Sequence, residues 1–313
     1  TLDGLPNNTI WCGLADADSS LWFGTSDGLC HVVNGTVVKL DSAHALSGQR
    51  VLALNRTGQG DLWCGTRDGV TIFHQAGPPE HLSEVDGLVL HGVRSILEVG
   101  KETIWLATDM GAVILKNGKA HRFTTRDGLS HNTLFCLEGD LKNRLWMGTS
   151  NGLSCYTDGR FTAIDLGRDF GSNYVDLLLR DPKGMLWAGT NNGLFAFDPD
   201  SLLADHAAAE HITEEDGLRD LECNLNAGFH DRAGRLFFGT NAGLVMHDPT
   251  RQPLRADMRP PVTYITAVRS FMQPVPGSDS LGSAEGPSVP LNVAYRKNQL
   301  TFSYTAIGLA NGH

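Results

Sequence analysis

A nine-residue word recurs along this chain, and its spacing restricts the fold more than any other property of the sequence. Leu145-Trp146-Met147-Gly148-Thr149-Ser150-Asn151-Gly152-Leu153 states it fully. Residues 21–29, 62–70 and 186–194 repeat it closely. Residues 104–112 depart from it at Ala107 and Ala112, and residues 236–244 carry Phe237 in place of Trp. The aromatic falls at positions 22, 63, 105, 146, 187 and 237, in steps of 41, 42, 41, 41 and 50 residues. A repeat of about 40–45 residues built from short strands predicts an all-β chain, a β-propeller with one four-stranded blade per repeat.

Within one repeat the strand signals are separable. Thr133-Leu134-Phe135-Cys136-Leu137 is a near-continuous apolar run, as expected of a strand covered on both faces. A polar turn, Asp140 to Arg144, leads into Leu145-Trp146-Met147-Gly148-Thr149. Trp146 is expected to fill space between blades, and Gly148 to permit close backbone approach or a bulge. Ser150-Asn151-Gly152 and Asp158-Gly159 then turn the chain into a third and a fourth strand.

Alignment on the aromatic exposes the first strand. Twelve residues earlier stand Ile10, Val51, Val93, Leu134, Val175 and Leu225, all apolar. Ten residues earlier stand Cys12, Ala53, Ser95, Cys136, Leu177 and Ala227, mostly small, which suits the crowded axis and places this strand innermost. The fifth repeat holds an insertion, residues 198–210, whose Pro199 and Ala/Leu-rich body predict one to three helical turns.

The chain has 313 residues, and its net charge of −10 without any Lys/Arg-rich run argues against a nucleic-acid partner. No segment approaches the ~18 consecutive apolar residues of a membrane span. The opening residues have no signal-peptide character. Asp3-Gly4-Leu5 recurs at 86–88, 127–129 and 216–218, so the chain is expected to be part of a longer one. Cys12, Cys30, Cys64, Cys136, Cys155 and Cys223 form no Cys-x-x-Cys pair and read as buried free thiols, with disulfides left open.

No catalytic signature is present. The twelve histidines show no metal-ligand spacing, and no nucleophile elbow, phosphate loop or dinucleotide fingerprint occurs. No catalytic residue, metal or cofactor is therefore expected; Asp16-Ala17-Asp18, the one hint of a calcium loop, falls at a turn of the repeat. The one constellation with binding character lies fourteen residues before the aromatic: Asn8, Gln49, His91, Asn132 and Asn173, with Cys223 in the sixth repeat. Arg50, Arg94 and Tyr174 adjoin it. Convergent amides, arginines and an aromatic suit a neutral or weakly acidic sugar at one end of the channel. The competing explanation is that these side chains cap the turns entering each inner strand.

The repeat core, with its Asp-Gly-Leu loops, resembles the two-component regulator propeller repeat. Residues beyond 261 lack the core word. Pro260-Pro261-Val262-Thr263-Tyr264-Ile265 and residues 295–309 resemble the Y_Y_Y domain, an Ig-like module that follows such propellers. Residues 222–227 resemble the segment just before that module. The resemblance implies a propeller over 1–252, a linker over 253–261 and the N-terminal part of an Ig-like sandwich over 262–313. Members commonly have seven blades, so the six here are expected to be part of such a ring. It also implies a non-catalytic, ligand-sensing region on the periplasmic or extracellular side of an inner-membrane protein. That protein would be a membrane-anchored homodimer and a sensor histidine kinase. The alternatives are the sensor region of a diguanylate cyclase and a propeller scaffold that binds a partner protein. The ligand would be a small molecule or an oligosaccharide.

Overall fold

The computed structural model describes residues 4–38, 40, 46, 49–166, 174–204, 209–250, 262–270, 273–274 and 300–307. Two compact units divide the chain, Thr1–Gln252 and Pro253–His313.

The first unit is a β-propeller of six blades. Their inner strands are Ile10–Ala15, Val51–Arg56, Ser95–Glu98, Leu134–Gly139, Val175–Arg180 and Cys223–His230. Each blade is an antiparallel meander in sequence order, four-stranded in blades 1 to 5 and three-stranded in blade 6 among the described residues. Successive inner strands touch one another, and that of blade 6 also touches that of blade 1. The strand with small and apolar positions is thus the innermost one, because only small side chains let several backbones meet near one axis.

The recurring word is a set of packing and hydrogen-bonding devices. Trp146 is fully buried and packs against Phe197 of blade 5, ring centroids 5.5 Å apart. Its indole N–H donates to Asp140 Oδ2 at 3.0 Å. Asp140 also accepts the backbone N–H groups of Lys142 and Arg144 through Oδ1, so one buried carboxylate organises the turn. Gly148 lies against the next blade: a Cβ there would stand 2.7 Å from the Val175 carbonyl oxygen and closer still to Cys136 Sγ. The threonine is a staple. Thr149 Oγ1 donates to the Gly152 carbonyl at 2.9 Å and accepts from the Asn151 N–H, and Thr25, Thr66, Thr108, Thr190 and Thr240 donate in the same way.

Among the described residues of the blade 5 insertion, Pro199–Ala204 forms a helix capped by Asp198, whose Oδ1 accepts the Ser201 N–H at 2.8 Å. Leu202 of this helix is buried in the core cluster that also holds Trp146. The cysteines are free, Cys12 partly buried and the other five buried. Burial pushes the Cys12, Cys155 and Cys223 thiols up to about 12, so they act as packing groups rather than nucleophiles.

Blades 6 and 1 face each other across an apolar cleft lined by Ile10, Leu14, Phe23, Phe229, Phe237 and Leu244. Leu244 is 71% exposed there, whereas its repeat equivalent Leu194 is 2% exposed. At the other five junctions this face is covered by a neighbouring blade; at this one it is open.

In the second unit, Val262–Ser270 is the central strand of a three-stranded antiparallel sheet, flanked by Gln273–Pro274 and Leu300–Ile307. The expected linker 253–261 lies outside the described residues.

Candidate functional site at the channel mouth

A break in strand pairing builds the site. In blade 1, Ile10 pairs with Thr25 and Cys12 with Gly24, so Trp11 has no partner across the sheet. The same bulge leaves Leu52, Phe135 and Asp176 unpaired in blades 2, 4 and 5. In blade 3, Ser95 pairs with Ala107 while the Arg94 N–H also donates to the Ala107 carbonyl, which makes Arg94 the equivalent residue. In blade 6, the irregularity between Cys223 and Gly228 contains Asn226, held at φ 52°. A bulge re-aims the extra side chain away from the two sheet faces. The break recurs at one repeat position in blades 1, 2, 4 and 5, with an irregularity at the same place in blade 6.

Contacts among these residues show that they converge. Asn226 Nδ2 of blade 6 donates to the Arg94 carbonyl of blade 3 at 2.8 Å. Blades 3 and 6 are three places apart among the six, so this bond crosses between opposite sides of the ring. The Arg94 guanidinium lies 5.8 Å from the Phe135 ring centroid and donates through Nε to Asp109 Oδ1 at 2.7 Å. Asp109 fits because Gly92, at φ 63°, has no Cβ to collide with its carboxylate. The Tyr174 ring stacks on Phe135 at 6.1 Å, and the Arg50 guanidinium lies 5.0 Å from the Trp11 ring centroid. Trp11 is oriented by its indole N–H, which donates to Ser26 Oγ at 2.9 Å.

Two inner-strand carboxylates are perturbed. Burial, with the negative charge of Glu222 beside it, raises the Asp176 carboxyl to about 6. Burial raises Glu138, on the inner strand of blade 4, to about 7, opposed by the Gly139 N–H and by Arg180. Among the described residues no group of three or more His, Cys, Asp or Glu side chains could hold a metal ion.

The residues singled out from the sequence divide. Arg50, Arg94 and Tyr174 join the cluster, and His91 Nδ1 lies 3.9 Å from Asp109 Oδ2 at its edge. Asn132 does not: its Oδ1 accepts the Thr125 N–H at 2.8 Å and caps a turn. Asn8 is exposed in the segment leading to blade 1, while Gln49 Oε1 is buried without a hydrogen-bond partner. Asn173 lies outside the described residues. Sequence reasoning passed over Trp11, Phe135, Asp176 and Asn226. They occupy the column eleven residues before the aromatic, which alignment displays but which carries no single chemical type.

No family model matches the chain, and no curated protein is similar to it in sequence. Solved structures do resemble it. An extracellular domain assigned to a hybrid two-component system of B. thetaiotaomicron superposes with a TM-score of 0.74 over 96% of this chain and 41% of that one, at 19% identity. A second such domain from B. thetaiotaomicron gives 0.64 at 23% identity, over 79% of this chain and 32% of that one. A streptogramin B lyase gives 0.58 at 13% identity, covering 82% of this chain and 87% of its own. The chain spans less than half the length of either sensor domain that it matches. At these identities the shared property is the fold, a β-propeller built from repeated four-stranded blades.

Proposed function

We propose that this chain is the extracytoplasmic sensing region of a bacterial transmembrane signalling protein, a two-component sensor histidine kinase, and that it is not itself catalytic. Its channel mouth binds a small molecule or an oligosaccharide. The observation that carries this reading is the set of aromatic and cationic side chains, Trp11 with Arg50 and Phe135 with Arg94 and Tyr174, together with the Asn226 bond that crosses between blades 6 and 3. Such a site has stacking faces for a sugar ring and arginine donors for its oxygens. The likeness to two extracellular domains of hybrid two-component systems supports the placement outside the cytoplasm, and the strands Val262–Ser270 and Leu300–Ile307 support an Ig-like Y_Y_Y module after the propeller. No helix among the described residues is long and apolar enough to cross a membrane.

A second reading is a propeller enzyme. It is favoured by the lyase likeness and by the raised Asp176 and Glu138 carboxyls.

Thermal shift against oligosaccharides and small metabolites separates the two. A ligand at a hundred times its dissociation constant stabilises the folded state by about 2.7 kcal/mol, and the shift is expected to vanish in Trp11→Ala and Arg94→Ala. Recovery of the ligand chemically unchanged supports sensing, and turnover supports the enzyme. The sensing proposal fails if no ligand shifts the transition and signalling by the parent protein persists after deletion of the propeller.

A further inference from the structure

A different cavity, at the other end of the sheets, carries an independent inference. Each core tryptophan faces, on the following blade, the residue ten places after that blade's own core aromatic. Trp105 meets Tyr156 with centroids 4.9 Å apart, Trp146 meets Phe197 at 5.5 Å, and Trp187 meets His247 at 4.4 Å. Trp22 and Phe73 share one core cluster. At the junction of blades 2 and 3 the corresponding place holds Leu115, the one aliphatic side chain in this set. A leucine does not fill the volume of an aromatic ring. A cavity of about 370 Å³ opens there, floored by Trp63, Leu82, Val85, Ile104 and Leu115.

At two other junctions a carboxylate engages the indole, and this one has none. Asp16 and Asp140 accept the N–H groups of Trp22 and Trp146 at 2.9 and 3.0 Å. Thr57 stands at that repeat position in blade 2, and its hydroxyl is used within its own turn, accepting the Asp61 N–H at 3.2 Å. Trp63 is half-buried, as Trp22 is, while Trp105, Trp146 and Trp187 are buried. What sets this junction apart is the missing ring, which leaves the cavity open beside Trp63.

The rim is polar and of mixed sign. Asp61 is engaged by His74, and Glu98 accepts the Gly58 N–H at 2.6 Å. Gln59, Glu102, Lys116 and Asn117 complete the opening. No single charge dominates, which disfavours an ion. An aromatic floor under a rim of amide, ammonium and carboxylate groups matches the alternating apolar faces and hydroxyl edges of a sugar ring. The volume falls within the range of small-ligand sites, about 300–1,000 Å³. We propose that this inter-blade cavity binds a neutral pyranose, the terminal unit of an oligosaccharide, seated against Trp63.

The cavity is lined by the turns joining first to second and third to fourth strands, around residues 57–61 and 116–119. The channel mouth is formed at the opposite strand ends, so the two sites can be tested separately. The intact chain is titrated with maltose, cellobiose, xylobiose and N-acetylglucosamine, and tryptophan emission is followed. At least one sugar is expected to give a saturable change. Leu115→Phe restores the aromatic ring found opposite the other four core tryptophans. It is expected to weaken binding at least about tenfold while raising the melting temperature, which separates lost binding from lost folding. Trp63→Phe is expected to abolish the emission change. Leu141→Ala, at an exposed turn residue outside both sites, is expected to leave affinity within about twofold. No saturable response to any of the four sugars overturns the proposal. So does a response that survives Leu115→Phe, and so does one lost in Trp11→Ala alone, which would assign the sugar to the channel mouth.

Discussion

Gly148→Ala tests the packing logic of the blades most directly. The added methyl group would stand 2.7 Å from the Val175 carbonyl oxygen, 2.8 Å from Val175 Cγ1, and closer still to Cys136 Sγ. The thiol can rotate away, but the carbonyl belongs to the inner strand of blade 5 and moves only if the blade moves. Overpacking of this kind costs about 1–3 kcal/mol, and a backbone obstacle places this site at about 3 kcal/mol. The internal control is Gly139→Ala, nine residues earlier on the same blade. A Cβ there meets nothing within 4 Å, and its backbone is not in the left-handed region. That change is expected to be neutral, or to stabilise by up to about 1 kcal/mol through loss of unfolded-state freedom. Urea unfolding followed by tryptophan emission gives both values. With a slope of about 3 kcal/mol per molar, Gly148→Ala lowers the midpoint by about 1 M. Equal midpoints for the two variants would refute the claim that close approach of the next blade selects glycine at this position.

Three further outcomes follow from the same geometry. Asp140→Ala strands the buried Trp146 indole N–H and two turn amides, and is expected to cost about 3 kcal/mol in urea unfolding; a loss below about 1 kcal/mol would mean that the carboxylate is dispensable. Glu138, raised from 4.5 to about 7 by burial, keeps its proton in the folded state over a range where the unfolded chain releases it. Stability that is full below pH 4.5 therefore falls as pH rises towards 7, and Glu138→Gln is expected to flatten that decline in a series of melting curves; parallel profiles would contradict it. Met246, 49% exposed on the open face of blade 6, is expected to be oxidised by peroxide well before the fully buried Met147, as read by peptide mass; simultaneous oxidation would mean that this face is covered.

Much of the fold was legible because a propeller repeats its local chemistry. The Trp-x-Gly-Thr word, varied at Ala107 in blade 3 and Phe237 in blade 6, marks the second strand of each blade, and the apolar and small columns before it mark the inner strand. Pro199 and the following leucines marked the helix Pro199–Ala204. The channel mouth was only half legible. Arg50, Arg94 and Tyr174 were found as neighbours of a polar column, but that column includes Asn132, which caps a turn. The side chains that were missed come from the bulge, and a bulge is a property of two paired strands rather than of one segment. Trp11, Phe135, Asp176 and Asn226 share a position but no chemistry, so composition could not select them.

By itself the sequence determined the repeat, the number of blades in this chain, the order of strands within each and the change of pattern after residue 261, all consequences of short-range periodicity. The tertiary structure alone decided what depends on residues brought from different blades. Asn226 meets Arg94 across the ring from 132 positions away, the sixth blade presents an uncovered face to the first, and Leu115 leaves Trp63 open where other blades supply an aromatic ring. Each reflects the volume or hydrogen-bonding capacity of one side chain measured against a partner on a different sheet, a relation fixed only when the ring assembles.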